Sequence, residues 1–502
     1  MDNLSPEVLG LIVANLYAKP PPPPFPDRRM SRAPHIPYAA VSRKWQHAVE
    51  PWIFTRIGLR SNELTTFADI FATPRRRALL RRLEYSVLLP TFGDSRRDFA
   101  ENQAAFENGI RGLLDILRDW ESDDAGSLEL WLTFKWNVDM TEGPAEFHFD
   151  ALNSSSSRRY LMLDGVRLPE VRRLTGLNIL SSPGRALLPE AMCYLSNAMP
   201  CLEKLELEVL DPVNKRREMR KSHRLAFAAG LTALDLPRLA HLRIHHEITA
   251  DVYNHSFDCG DLEEDGIDSL NDALRRVSQT APLASLDLSG ILVSSDLFRN
   301  RRAPGYDDSS VWPTLRHFNI KAGIIAPSGK WYYTGDPAAA DIGSDSEAGD
   351  EDEFSEGGST ASGSVASSTE SDDNMSRDER ANGVRPTHTW REVPDPDVFN
   401  SLVRDMAGAV LRMPQLRSGS MEVGTDYGAP VSVILKCAEA GQELVDRPDW
   451  KLDSEEERRT RRWHAWVGVV TEWELPEDVK KVWEEWLGEY GKSAVDSYPP
   501  GL

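Results

Sequence analysis

Four times between residues 200 and 320 the chain repeats one pattern, a proline or its equivalent followed by apolar side chains two, five and seven positions on. It reads Pro200, Leu202, Leu205, Leu207, then Pro237, Leu239, Leu242, Ile244. It returns as Leu283, Leu286, Leu288 counted from Ala281, and as Pro313, Leu315, Phe318, Ile320. Looser copies stand at Leu80, Leu83, Tyr85, at Val171, Leu174, Leu177, the last one residue out of step, and at Pro414, Leu416, Met421, where Gly419 holds the middle position. The last two positions of each copy alternate as in a strand. The residues ahead of two copies are spaced as a helix: Ile267, Leu270, Leu274, Val277, and Phe399, Leu402, Val403, Met406, Val410. A unit with one apolar helix face and one apolar strand face cannot bury both alone. Neighbouring units must therefore stack, which predicts an α/β chain built as a solenoid, a parallel sheet with outer helices.

The spacing between copies is 37 residues from Pro200 to Pro237 and 32 from Ala281 to Pro313, but 101 from Pro313 to Pro414. Removing residues 328–395, bounded by Pro327 and Pro396, returns an ordinary spacing of 33. The removed stretch holds a Ser-, Gly- and acid-rich tract with almost nothing to bury, so a disordered acidic insertion is expected over 335–390. Trp331-Tyr332-Tyr333 and Trp390 flank it and predict ordered edges. Ser344, Ser346, Ser355, Ser367, Ser368 and Ser371 lie beside acids, a setting that suits acidophilic kinases as well as a plain solvated loop.

Charge follows the same division. The chain of 502 residues carries a formal charge of −21, yet residues 1–97 hold 15 basic against 8 acidic side chains, and residues 341–380 hold 13 acidic against 2 basic. So acidic a body lacks the surplus of Lys and Arg that displaces counterions from phosphates, so neither nucleic acid nor an anionic membrane is expected as a partner. No run of 18 apolar residues predicts a membrane span, and Met1-Asp2-Asn3 lacks the basic start of a signal peptide. Four cysteines without a C-x-x-C pair fit a reducing compartment, cytoplasmic, nuclear or both.

At the N-terminus, LSPEVLGLIVANL reads as a helix, with Ser5 as N-cap, Pro6 at the first turn and Val8, Leu9, Ile12, Val13 and Leu16 on one face. A proline-rich connection from Pro20 to Pro37 follows. A second helix then places Val41, Trp45, Val49 and Trp52 at steps of 4, 4 and 3. Helices this short need a partner surface, and capping the first repeat is one way to find it.

LSPEVLGLIVANL followed by VSRKWQHAVEPWIF resembles the F-box motif over about residues 3–57, with Pro6, Glu7, Ile12, Leu16, Val41, Ser42, Arg43, Trp45 and Phe54 at family positions. The longer plan is similar to fungal F-box proteins with irregular leucine-rich repeats. In those a Trp-Tyr-aromatic stretch, an M-P-x-L helix end and a Trp-rich C-terminal region recur, as in Trp331–Tyr333, Met413–Leu416 and the region after Cys437. The resemblance implies a non-enzymatic substrate receptor of a Skp–cullin–F-box ubiquitin ligase, with no cofactor. Its adaptor subunit would dock on Leu4, Pro6, Val8, Leu9, Ile12, Val41, Trp45 and Trp52, and the repeats would hold a protein target. The expected divisions are a helical module at 1–57, leucine-rich-repeat-like units at 58–334, the insertion, a last repeat at 391–436 and a C-terminal cap at 437–502. A repeat scaffold with no ligase role is the alternative.

In the C-terminal unit Trp463, Ala465 and Val467 alternate as a strand, and Val479, Val482, Trp483, Trp486 and Leu487 share a helix face after Pro476. This predicts a cap; the nearby arginines and tryptophans would also make a peptide-binding edge through cation–π contacts. Metal chemistry is disfavoured. His241, His245, His246, Glu247, His255, Asp258 and Cys259 cluster in sequence, but H-E-x-x-H fails after Glu247, leaving loop histidines exposed to solvent as the expectation. Gly323 to Lys330 has one residue too many for a phosphate-binding loop.

Overall fold

A computed structural model of the chain describes residues 4–17, 39–91, 95–120, 126–136, 160–163, 165–181, 185–247, 252–301, 311–339, 341–342, 377, 379–424, 431–442, 444, 457–468 and 471–497. The Pro20–Pro37 connection and the six acid-flanked serines lie outside these residues.

The fold is mixed α/β around one mostly parallel sheet of twelve strands. In chain order these are β1 (Arg56–Arg60), β2 (Arg82–Leu89), β3 (Leu128–Trp136), β4 (Leu174–Ile179), β5 (Lys204–Leu210), β6 (His241–Glu247), β7 (Ser285–Ser289), β8 (His317–Ala322), β9 (Ser418–Gly424), β10 (Ser432–Ala438), β11 (Arg462–Val467) and β12 (Lys492–Ser497). Their order across the sheet is their order in sequence. Every neighbour pair from β1 to β9 is parallel. The direction then reverses at β10 and again at β11, and β12 runs parallel to β11.

The repeated leucines set this register. The fifth-position residues align as Leu83, Leu130, Leu177, Leu205, Leu242, Leu286 and Phe318, each directly opposite the next. The seventh-position residues align as Tyr85, Leu132, Ile179, Leu207, Ile244, Leu288, Ile320 and Met421. Both rows are buried, because a period of two sends positions five and seven to the same side of each strand. The entry turn recurs as well. Two successive N–H groups donate to one carbonyl of the preceding unit: Ala240 and His241 to Glu203 O, Ala284 and Ser285 to Ala240 O, Arg316 and His317 to Ala284 O, Arg417 and Ser418 to Arg316 O. The copy that runs one residue out of step carries a bulge. Pairing jumps from Leu128 with Leu174 to Glu129 with Gly176, and the extra residue is Thr175.

Helices α1 (Pro6–Tyr17), α2 (Arg43–Phe54), α3 (Leu64–Ile70) and α4 (Pro74–Leu79) surround the start of the sheet. Then follow α5 (Arg96–Arg118), α6 (Pro189–Asn197), α7 (Arg217–Thr232), α8 (Ser269–Thr280), α9 (Phe399–Val410) and α10 (Glu477–Leu487). Their buried faces share one core with the two apolar rows, through Phe106 and Ile110 of α5, Phe227 and Leu231 of α7, Leu270 and Leu274 of α8, Leu402 and Met406 of α9 and Trp483 of α10. Helix α5 starts at a reciprocal cap in which Ser95 Oγ accepts from Asp98 N at 3.1 Å and Asp98 Oδ2 accepts from Ser95 N at 3.2 Å.

Three expectations change. The expected disordered insertion at 335–390 is built at both its ends: Asp341–Ile342 pairs with His388–Thr389, and Tyr333–Thr334 with Val393–Pro394. Asn382 ties this stem to the body, its carbonyl accepting from Asn214 and its Oδ1 from Lys215 N, both at 2.9 Å. Strand β1 straddles the expected boundary at residue 57, and β10 straddles the one at 436, because each is hydrogen-bonded across it. The histidines are not exposed loop residues as a set. His241, His245 and His246 lie on β6, and His246 and His255 are buried. In the C-terminal unit Arg462 is buried, whereas Arg459 and Arg461 are exposed, with Arg461 lying 5.2 Å from the Trp486 ring.

Candidate functional site: two interaction surfaces

The first surface is the α1–α2 pair. Ser5 Oγ accepts from Val8 N at 3.4 Å, and Ser42 caps α2 by accepting from Trp45 N at 3.5 Å. Leu9, Val13, Trp45 and Val49 form a small separate core between the helices, with Leu4 and Ile12 packed at its rim. Of the eight expected docking residues, Leu9 and Trp45 are therefore internal, at 1 % and 6 % exposure. Val8, Val41 and Trp52 face outward at 42 %, 55 % and 47 %. The Pro6 side chain lies outside the described residues. Leu11, not among the expected eight, is the most exposed large apolar side chain of the pair among the described residues, at 66 %. Its signal was present: α1 is apolar nearly all round, which marks a helix with neighbours on more than one side.

Glu50 fixes α2 to α4. Its buried carboxylate accepts from Gln46 at 2.9 Å, from Arg76 at 3.1 and 3.2 Å, and from Arg75. Burial alone would raise its pKa, but the hydrogen bonds from Gln46, Arg76 and Arg75 outweigh burial and hold it below the usual carboxylate value. Of the N-terminal basic residues, Arg75, Arg76, Arg77 and Arg82 are engaged by the fold, while Arg43, Arg81 and Arg97 are exposed. Arg77 donates to Phe71 O at 2.7 Å, and Arg82 stacks 3.5 Å from the Trp131 ring.

The second surface is the polar side of the sheet, opposite the apolar rows. One row runs Glu84, Trp131, Asn178, Glu206, Arg243, Asp287, Asn319, Ser420, Lys436, His464. Opposite charges pair along and across it: Lys204 with Glu206 at 2.8 Å, Arg243 with Asp287 at 3.7 Å, and Asn319 donating to Asp287 at 3.2 Å. A groove of about 260 Å³ opens where the side chains shorten, at Ser285, Asp287, His317, Asn319, Ser418 and Ser420. His317 Nδ1 and Ser418 Oγ are 2.8 Å apart, and burial, then Arg417 and Arg316, hold the imidazole below its ordinary pKa. Beyond the groove His464 stacks on Trp466, centroids 3.8 Å apart.

Reactive groups are locked elsewhere. Burial holds the thiols of Cys193 and Cys437 far above their usual pKa and pushes Cys259 up to about 11. Arg224 donates to both oxygens of Asp268 at 2.7 and 2.6 Å, and Asp211 lies 3.4 Å from His246. Among the described residues no group of three or more His, Cys, Asp or Glu is placed to hold a metal ion, and no helix is long and apolar enough to cross a membrane. No protein-family model and no curated protein matches the chain.

Proposed function

We propose that the chain is a substrate-recognition subunit of a Skp–cullin–F-box ubiquitin ligase, an F-box joined to an irregular leucine-rich-repeat solenoid. The observation that carries this reading is the outward apolar set Val8, Leu11, Val41 and Trp52 on a helix pair that already has its own internal core. Side chains this large and exposed fit a protein partner that covers them. The adaptor subunit would dock there, and a protein target would lie along the polar side of the sheet. Glu50 and its arginines would hold the two surfaces in a fixed relation. Catalysis would belong to other subunits.

The test separates docking from folding. Trp52→Asp and Leu11→Asp change exposed positions, so the protein should keep its thermal transition while losing co-purification with the adaptor. Trp45→Asp is uninformative for docking, because it places a charge inside the pair's core. Adaptor binding that survives Trp52→Asp combined with Leu11→Asp would sink this reading. The scaffold alternative draws on the same Glu50 contacts, which also make the helix pair a cap on the first unit. It predicts a stable protein with no adaptor in the purified complex.

A further inference from the structure

A cleft of about 990 Å³ opens between the end of α5 and the approach to β4. It is lined by Arg111 and Arg118 of α5, by Arg167, Arg172 and Arg173 on the approach to β4, and by Trp120. Two carboxylates also line it, and each is engaged: Asp115 lies 3.3 Å from Arg118, and Glu170 lies 2.8 Å from Arg172. Arg173 is buried and donates to the carbonyls of Arg77 and Leu80, so it belongs to the fold. Arg111 and Arg167 are exposed. A surplus of guanidinium groups thus faces one concavity in a protein of charge −21. Guanidinium pairs with carboxylate or phosphate through two parallel hydrogen bonds, so the ligand such a cleft takes is a polyanion.

We propose that the cleft binds this chain's own acidic segment, residues 343–376. That segment has 34 residues with ten acidic and no basic side chains. It departs from the stem at Ile342, and the stem is anchored to Asn214 and Lys215 beyond the end of β5. The cleft lies before the start of β4, the neighbour of β5. A seven-residue strand spans roughly 23 Å, which puts root and cleft about 30–40 Å apart. Seventeen residues from either root reach about 55 Å when extended, so the middle of the segment can arrive there. Tethering gives a local concentration in the millimolar range, so contacts too weak to act between molecules suffice within one. A second acidic run, Glu121, Asp123 and Asp124, follows Trp120 in sequence and is the rival occupant that the test must separate.

The experiment uses the full chain and a version with residues 343–376 replaced by a short Gly-Ser linker. The probe is a labelled synthetic peptide of residues 343–376, followed by fluorescence anisotropy. The linker version should bind it about tenfold more tightly than the intact chain, and binding should fade at high salt as screening sets in. Arg111→Glu with Arg118→Glu and Arg167→Glu should abolish binding with the thermal transition retained; Arg167→Glu alone serves if the triple variant does not fold. Equal binding by both proteins would show a cleft open to a partner's acidic segment and overturn the assignment. Absent binding, or binding indifferent to the arginines, would overturn the cleft as the site. Binding that emerges only after Glu121→Gln, Asp123→Asn and Asp124→Asn would give the cleft to that local run and equally overturn the proposal.

Discussion

Two residues show how single positions are decided by their neighbours in space. Gly419 stands where the other units carry leucine or phenylalanine, because the Phe318 ring opposite it already fills that place. A Cβ at Gly419 would collide with the ring and stand 2.9 Å from Cys437 Sγ. Gly419→Ala should cost about 1–3 kcal/mol by overpacking, and adding Phe318→Leu should recover much of it, read from urea midpoints. The sequence showed the missing leucine but not the ring that replaces it. His255 makes the second case. Its Nδ1 accepts from Trp390 N at 2.8 Å and Arg391 N at 2.9 Å, so it must be unprotonated there. Burial, then Arg391 and His388, lower its pKa to about 4. A depressed histidine favours folding fully above the unfolded value of about 6.5 and loses that contribution as pH falls through 4. Stability should therefore drop by about 3 kcal/mol across this window, and His255→Asn, which keeps an acceptor but cannot titrate, should flatten the drop in pH-dependent thermal melts.

At the scale of elements, what the periodicity located was the strands and the amphipathic helices; what it could not assign was which residues of a helix face inward. The α1–α2 pair shows the limit. Leu9 and Trp45 looked equivalent to Val8 and Trp52 along each helix, yet the first two are the pair's own core. Leu9→Ala should cost roughly 2–4 kcal/mol, while Val8→Ala should change stability by less than about 1 kcal/mol, measured by chemical denaturation. The α7–α8 joint depends on a buried ion pair. Arg224→Ala leaves Asp268 without its bidentate partner and should destabilise by about 3–5 kcal/mol in the same assay. Helix α5 was not read from the sequence at all, since no repeat copy follows it at the spacing of the others. Its strand, β3, has alternating Leu128, Leu130 and Leu132 without the preceding proline.

Across the whole molecule, the strictly sequential sheet makes each unit depend mainly on its neighbours, so an insertion is tolerated where it leaves and re-enters at one place. The paired stem at 341–342 and 388–389 supplies such a place. Replacing residues 343–376 by a short linker should leave the melting temperature within a few degrees while removing ten acidic side chains from the net charge of −21. A large fall in melting temperature on calorimetry would mean that the segment is part of the folded core.

The sequence alone determined the periodic part of this protein. Leucines at fixed offsets dictate which side of each strand is dry, and parallel stacking is the arrangement that buries them all, so the parallel part of the sheet was legible and the reversals at β10 and β11 were not. The arginine cleft, the groove at Ser285 to Ser420 and the separation of Leu9 from Leu11 were not. Each depends on residues far apart in the chain meeting at angles that one-dimensional spacing does not encode. Arg111 and Arg167 are 56 positions apart yet line one cavity, and Phe318 and Gly419 are 101 apart yet occupy one space. Only tertiary packing decides such encounters, because it fixes which surfaces remain after the periodic rows have been buried.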